Sequence, residues 1–430
     1  MGAPEQYDVT VIGGGASGLA AALSAARAGA AVAVIERDVA CGTKILVTGN
    51  GRCNLSNTHL DTSRYNNPTF AGEVMGEQPE RELLTFFSSL GIITVEEEGR
   101  LYPRSLKAAS ARDALLRACR KEGVKLLSGH TVTDIDAPDG KTWSIDMVRP
   151  TAPLKAKAQK DRKAELRALR KALAEAPKES VRIRSRALVI ATGGGTPDIP
   201  NMIGLDLVPG TPVLCPVESQ VVDMPHALEE LNGLRVHADV ALKRDGERIW
   251  SEAGEVLFRP YGISGVVAFN LSRRIERGDT VLLDFFPEMD RDAFHRLLLE
   301  RERIMGPFSP ADPTWFDGML APALARVACG IYDFCHAGST DVVHLVSVLK
   351  HFKLIVSGRV EETSAQVTRG GIPLEQASTP DLAITADGRP MAFACGEALD
   401  IDADCGGYNL AWAWISGIRC GTAAAHAARS

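Results

Sequence analysis

Gly13, Gly15 and Gly18 follow directly on a short apolar run, Tyr7 to Ile12, and set the pattern Gly-x-Gly-x-x-Gly in the first turn of the chain. Residues of that type at that spacing bind a pyrophosphate. One glycine permits the tight turn, one lets the backbone approach the phosphates, and one lets helix and strand pack closely. Ala16 and Ser17 complete the turn into an Ala-rich helix ending near Gly29, whose first unpaired N–H groups and positive dipole end favour an anion. A second apolar run, Ala31 to Ile35, stops at Glu36. A carboxylate there accepts hydrogen bonds from an adenosine ribose and repels a 2′-phosphate, so Glu36, with Arg37 next to it, marks an adenosine end that disfavours NADP. A glycine-rich turn without any ligand is the competing reading. The order strand, turn, helix, strand, acid favours the dinucleotide and leaves FAD and NAD both open.

Other segments carry similar chemistry. Lys44 to Asn57 (KILVTGNGRCNLSN) packs glycine, asparagine and two cations into a loop. It could lie against a planar ligand, with Asn50, Gly51, Arg52, Cys53 and Asn54 at its edge, or be a plain surface loop. A strand ending at Ile190 runs into Ala191, Thr192, Gly193 and Gly194, and on to Gly195; such an exit often passes a cofactor. Near the C-terminus a strand, Met391 to Cys395, leads to Gly396 and Glu397, and Gly406-Gly407 precedes a closing helix through Trp412, Trp414 and Ile415. A second anion-accepting helix start, aimed at a flavin, would stabilise negative charge at the N1/O2 edge of the reduced ring.

These elements predict a Rossmann-type α/β domain that the chain leaves and re-enters. The expected division is 1–196 and 372–430 for a cofactor domain, 197–290 and 352–371 for a β-rich, barrel-like substrate domain, and 291–351 for a helical cap. Strand-like sequence at Arg235–Leu242 and Glu255–Phe258 flanks an Asp245-Gly246 turn, and Phe294, Leu297 and Leu298, then Leu320, Leu324 and Val327, recur at helical spacing. Gly193-Gly194-Gly195 lacks the third glycine and apolar helix of a second fingerprint, so no built-in NAD(P)H domain is expected. Residues 155–178 carry nine Lys/Arg against Asp161, Glu165 and Glu175, with Leu166, Leu169 and Leu173 in a narrow stripe. They read as an exposed helical excursion, with a docking arm as the sharper alternative.

Composition narrows the partners. A net charge of −6 over 430 residues offers no general attraction to nucleic acid or anionic membrane. No apolar run is long enough to span a bilayer, nothing near the N-terminus resembles a signal peptide, and nine scattered cysteines form no CxxC pair. A cytoplasmic protein, monomer or homodimer, with reduced thiols, no metal site and a small-molecule substrate is the expectation.

The combination GGGASGL, TGNGRCNLSN, ATGG, GISG (Gly262 to Gly265), AQVTRGG (Ala365 to Gly371) and GEALDIDADCGGYNLAWAWISG resembles one flavoprotein family, the BaiN-like oxidoreductases. These are described variously as bile-acid dehydro reductases and aminoacetone-oxidase-type FAD enzymes. TGNGRCN and CGGYNL are specific to it; GxGxxG and ATGG are shared by many flavoproteins. The resemblance spans nearly the whole chain. It implies FAD lined by Glu36, Lys44, the Asn50–Asn54 loop, Val132 through its backbone, Thr192-Gly193, Gly396-Glu397 and Gly407 to Leu410, which includes Tyr408 and Asn409. The family pattern has Phe-Thr and a polar residue before Gly-Ile-Ser-Gly, whereas here Phe258 is followed by Arg259, Pro260 and Tyr261. Substrate identity does not carry over.

The expected chemistry is that of an ene-reductase: hydride from reduced flavin to an activated, enone-type and steroid-like C=C, with NAD(P)H as transient electron donor. Tyr261 and Arg259 are the first candidates to hold the developing enolate oxygen, with a strand-end Tyr and a surface Arg as the plain alternative. Arg104 is a further anchor candidate. Cys53 invites a catalytic-thiol reading, against a small residue packed near the flavin. Competing classes are an oxidase of an amine or amino-ketone using O₂, and a nucleic-acid-linked or non-catalytic flavoprotein using the 155–178 arm.

Overall fold

The computed structural model describes residues 4–154, 161–194, 198–360, 365–384 and 391–430. The start of the basic excursion (155–160), Gly195 and the expected domain boundary at 196–197 lie outside the described residues. The chain forms two compact units, Met1–Thr211 with Thr368–Ser430, and Pro212–Val367.

The first unit begins with the predicted βαβ turn: β1 (Glu5–Ile12), α1 (Ala16–Arg27) and β2 (Val32–Glu36). Strand β1 buries Val9, Val11 and Ile12, and β2 pairs with it in parallel from Val32 to Ile35. After α2 (Ala108–Lys121) come β3 (Lys125–Ser128), which pairs with β2, and the hairpin β4 (Thr131–Asp136) and β5 (Trp143–Pro150). The excursion then supplies α3 (Arg162–Glu175), with no residue buried, before the thirteen-residue β6 (Lys178–Ile190). Strand β6 is a single strand, antiparallel to β5 and parallel to β1.

The second unit is a closed six-stranded barrel with helices. Its strands are β7 (Val217–Gln220), β8 (Arg235–Arg244), β9 (Glu247–Arg259), β10 (Gly262–Ser264) and β11 (Thr280–Asp284), closed after three helices by β12 (Phe352–Arg359). The order around it is β7-β10-β9-β8-β11-β12, with β12 returning to β7, and closure leaves no open sheet edge. Its longest described helices are α4 (Arg291–Met305), α5 (Pro322–Cys335) and α6 (Val343–Lys350). Alternate barrel residues such as Val240, Leu242, Val256 and Phe258 are fully buried, as period-two strands require.

The chain then completes the first unit with β13 (Ala383–Ile384), β14 (Ala392–Ala394) and α7 (Tyr408–Arg429). The main sheet runs β13-β14-β6-β1-β2-β3. Helices α1 and α7 touch backbone to backbone. A Cβ on Gly417 would lie 2.4 Å from the Ser17 carbonyl oxygen, and one on Gly421 would lie 2.0 Å from that of Ala21. Two glycines one helical turn apart therefore set the helix–helix distance. Among the described residues no helix is long and apolar enough to cross a membrane. All nine cysteines carry free thiols.

Candidate functional site

The glycine turn sits at the C-terminal end of β1, where β6 exits beside it. A Cβ on Gly13 would lie 2.2 Å from the Ala191 oxygen, one on Gly18 1.9 Å from the Gly13 oxygen, and one on Gly14 2.6 Å from the Cys41 sulfur. In front of Gly15 nothing lies within 4 Å. Helix α1 has no capping side chain and no acid in its first turn, so its leading N–H groups stay available to an anion. The site fits a pyrophosphate: closed by backbone behind, open in front of the middle glycine.

Glu36 stands at the end of β2. Its Oε2 accepts the Gly14 N–H at 2.8 Å and its Oε1 accepts the Asp38 N–H at 2.8 Å. Each oxygen keeps lone-pair capacity for a ribose hydroxyl. Its carbonyl accepts the His130 N–H at 3.0 Å, which ties β2 to the turn before the buried Val132. Arg37 is exposed.

Lys44 opens a 3₁₀ segment, Lys44–Gly51, that breaks at Thr48–Asn50. Gly49, Asn50, Gly51 and Cys53 all have positive φ, and for the two non-glycine residues that conformation costs about 1–2 kcal/mol each. Lys44 Nζ would lie 3.3 Å from a Cβ on Gly193, and Glu397 Oε2 4.0 Å from the same point, so the exposed Lys44 and the partly buried Glu397 flank the β6 exit together. Loss of solvation pushes the Glu397 carboxyl above its usual range; the Lys44 cation and the Gly194 N–H oppose that, and Asp402 adds to it. The Arg52 guanidinium is engaged with Glu97 and lies 4.3 Å over the Tyr102 ring. Cys53 is fully buried, and burial pushes its thiol up to about 11 against the Thr48 hydroxyl, so it is neutral at physiological pH.

The C-terminal elements close on these loops. A Cβ on Gly396 would lie 2.4 Å from Ser17 Oγ, and one on Gly407 2.5 Å from the Ser56 oxygen and 3.0 Å from Asn54 Oδ1. Gly407, at φ +101°, starts α7 with neither a capping side chain nor an acid in the first turn. Asn54 Oδ1 is sealed from solvent and receives no hydrogen bond within the protein, an acceptor suited to a ligand N–H or O–H. Asn409 braces the loop through Ala403, accepting its N–H at 2.9 Å and donating to its carbonyl at 2.8 Å. The Tyr65 hydroxyl donates to the Tyr408 carbonyl at 2.8 Å. Leu410 is partly buried against the core. The glycine turn, Glu36, Lys44, the Asn50–Asn54 loop, Ala191–Gly194, Gly396–Glu397 and Gly407 are thus linked neighbour to neighbour within the first unit.

Residues not singled out from sequence hold this assembly. Asn57 Nδ2 donates to the Gly406 carbonyl at 3.0 Å, and Asn66 Oδ1 accepts the Asp402 N–H at 3.0 Å. Buried Asp402 and Asp404 pair with Arg369 and Arg64. Three acids at alternate positions, Asp400, Asp402 and Asp404, were the available signal.

Tyr261 and Arg259 belong to the second unit, at the β9–β10 turn. Arg259 pairs in register with Gly262 and is exposed; the Tyr261 side chain is partly exposed, and its carbonyl accepts the Ser219 N–H at 2.9 Å. Among the described residues, no group of three or more His, Cys, Asp or Glu could hold a metal ion.

A glycine-turn Rossmann unit interrupted by a six-stranded barrel defines a dinucleotide-binding oxidoreductase class. The HI0933-like protein Rossmann domain family matches residues 7–423, and the chain belongs to that family. By that membership it is an FAD-dependent oxidoreductase. It is similar to the 3-dehydro-bile acid delta(4,6)-reductase of Clostridium scindens, 31% identical over 97% of this chain and 98% of that protein. It is also similar to the ribosomal RNA dihydrouridine synthase of Escherichia coli, 24% identical over 97% of each chain. A flavocytochrome c3 fumarate reductase in its open conformation aligns with a TM-score of 0.47 at 14% identity, covering 99% of this chain and 79% of its own.

Proposed function

We propose that this protein reduces a carbon–carbon double bond conjugated to a carbonyl in a small, enone-type molecule, with NAD(P)H as the electron donor. The observation that carries the reading is the cradle of the first unit: Gly15 open in front, two uncapped helix starts at Gly15 and Gly407, and the unpartnered Asn54 Oδ1 beside Gly407. Two differently named relatives add to it, since the names 3-dehydro-bile acid delta(4,6)-reductase and ribosomal RNA dihydrouridine synthase both describe adding hydrogen to a double bond.

A reduced flavin held in this cradle would supply hydride for the electrophilic carbon, and an acid or water would supply the proton for the neighbouring carbon. In this reading the first unit carries the cofactor and the barrel unit the substrate. Gly13, Gly15, Ala16, Ser17 and Gly18 hold the pyrophosphate; Glu36, Arg37 and the Val132 backbone hold the adenosine. Lys44, Asn50 to Asn54, Ala191 to Gly194, Gly396-Glu397 and Gly407 to Leu410 surround the ring. The start of α7 favours negative charge by its unpaired N–H groups. The Tyr261 hydroxyl and Arg259 are the donors for the substrate's developing enolate oxygen, and Cys53 serves as a buried packing residue. A reducing, cytoplasmic setting suits nine free thiols.

The test is an anaerobic titration of the purified protein followed by its visible spectrum. NADH or NADPH should bleach a bound flavin, and a steroid-like enone should restore the colour. Bleaching by an amine in place of NAD(P)H, with colour restored by O₂ but not by any enone, would replace the reductase by an oxidase. Return only with uridine-containing RNA would move the substrate to nucleic acid, against the acidic balance of −6.

A further inference from the structure

Helix α3 raises a physical question. None of its residues is buried, so apolar packing contributes little to holding it in place. Ion pairs and the approach of Leu173 to Gly129 tie it to the first unit. Arg170 Nε and Nη2 donate to Asp38 Oδ1 and Oδ2 at 2.9 and 2.6 Å. Arg162 reaches both oxygens of Asp113 at 3.0 and 3.3 Å. Leu173 Cδ1 lies 3.4 Å from where a Cβ on Gly129 would be.

Two of those three anchors are next to the adenosine end. Asp38 is a node: its N–H donates to Glu36 Oε1, its carboxylate accepts the Thr43 hydroxyl and the Val39 N–H, each at 2.8 Å, and its carbonyl accepts the Gly129 N–H at 2.8 Å. The same turn continues into His130, whose N–H donates to the Glu36 carbonyl, and on to Val132. A two-pronged guanidinium contact fixes both the position and the plane of the Asp38 carboxylate. Through the Asp38 backbone it also fixes the donor that aims Glu36.

We propose that α3 is a brace for the adenosine half of the dinucleotide site, with Arg170 as a positioning residue acting through Asp38 on Glu36. This rests on the reading that the first unit binds FAD. The basic excursion is then neither an idle solvated helix nor an arm for an outside partner; it tunes cofactor retention. Because the Arg170 side chain is half exposed, salt weakens the contact, and retention of the cofactor falls with ionic strength.

The experiment compares the full chain with Arg170→Gln and Asp38→Asn, measuring binding of FAD, ADP and FMN at low and high salt, with thermal unfolding of the cofactor-free proteins alongside. Each variant should weaken FAD and ADP by about three- to five-fold at low salt and leave FMN unchanged. High salt should bring the wild type towards the variants. Arg170→Lys, which keeps the charge and loses the fork, should recover part of the affinity. Unchanged FAD and ADP affinity in Arg170→Gln, or equal loss for FMN and ADP, overturns the brace alone. A wild-type protein that takes up no FAD overturns the cofactor reading and the brace together.

Discussion

Arg369 and Asp402 form a two-pronged ion pair, Nε to Oδ1 at 2.6 Å and Nη2 to Oδ2 at 3.1 Å, in which the carboxylate side chain is wholly buried. Next to it, Asp400 Oδ1 accepts the Gly370 N–H at 2.9 Å, so the Thr368–Gly371 segment is bound to the Asp400–Asp404 loop twice over. Removing the cation takes this ion pair away from a buried carboxylate. Arg369→Met should cost about 2–3 kcal/mol, less than for a fully buried pair because Arg369 is a third exposed. Chemical denaturation checks this. The double variant with Asp402→Asn should recover part of the loss.

A Gly→Ala change inside the α1–α7 contact and one outside it should have opposite outcomes. Gly421→Ala places a methyl 2.0 Å from the Ala21 oxygen and should destabilise by about 2–3 kcal/mol, with the helices forced apart. Gly72→Ala, inside the helix Pro68–Met75 with only a Thr62 methyl 3.9 Å away, should stabilise by about 0.5–1 kcal/mol. Equal effects in thermal unfolding would contradict this view of the interface.

Burial raises the thiols of Cys53 and Cys41 to about 11 each, so both are protonated at pH 7. Cys335 is exposed. Peptide mass mapping after brief iodoacetamide treatment of the native protein should find Cys335 alkylated first and Cys53 intact. Cys53→Ser should turn over at close to the wild-type rate.

The carboxyl of Asp38 is raised by burial, yet hydrogen bonds from Arg170, Thr43 and the Val39 N–H outweigh that and hold it at about 2, below its ordinary 3.8. A depressed carboxyl stabilises the fold above its unfolded value and loses that contribution as pH falls from about 4 to about 2. Discounted for solvent screening at a half-exposed pair, it contributes about 1 kcal/mol. Asp38→Asn should therefore be less stable than wild type at pH 7 and equal to it near pH 2, as followed by urea unfolding across that range.

If Tyr261 or Arg259 donates to the developing enolate oxygen, Tyr261→Phe or Arg259→Ala should lower kcat by about 10²-fold, with flavin content unchanged. Wild-type kinetics in both would remove the β9–β10 turn from the chemistry.

The parts of the fold legible in the sequence are those with local periodicity. The glycine turn, the strands on either side of Asp245-Gly246 and the helical spacing around Phe294 and Leu324 each announce themselves within a dozen residues. What stayed hidden are contacts between distant residues with no repeating pattern. Arg170 reads as one more exposed cation on a charged helix, because its partner Asp38 lies 132 positions away. Asn57, Asn66 and Arg369 likewise look like ordinary loop residues until the Asp400–Asp404 loop folds onto them. The Gly417–Gly421 spacing was visible in the sequence, but its purpose depended on which helix came to lie against it.

The order of synthesis gives this topology a consequence. The strand β14 and the helix α7 are made after the barrel, yet they lie against β6 and α1, which are made before it. The glycine turn is translated before the barrel and waits, while the inserted barrel has time to fold within the interval. A nascent chain stalled before Tyr408 owns Gly13 to Gly18 and Glu36 but lacks the helix start at Gly407. If Gly407 belongs to the cofactor site as proposed, cofactor loading follows the synthesis of α7 and cannot precede that of the barrel.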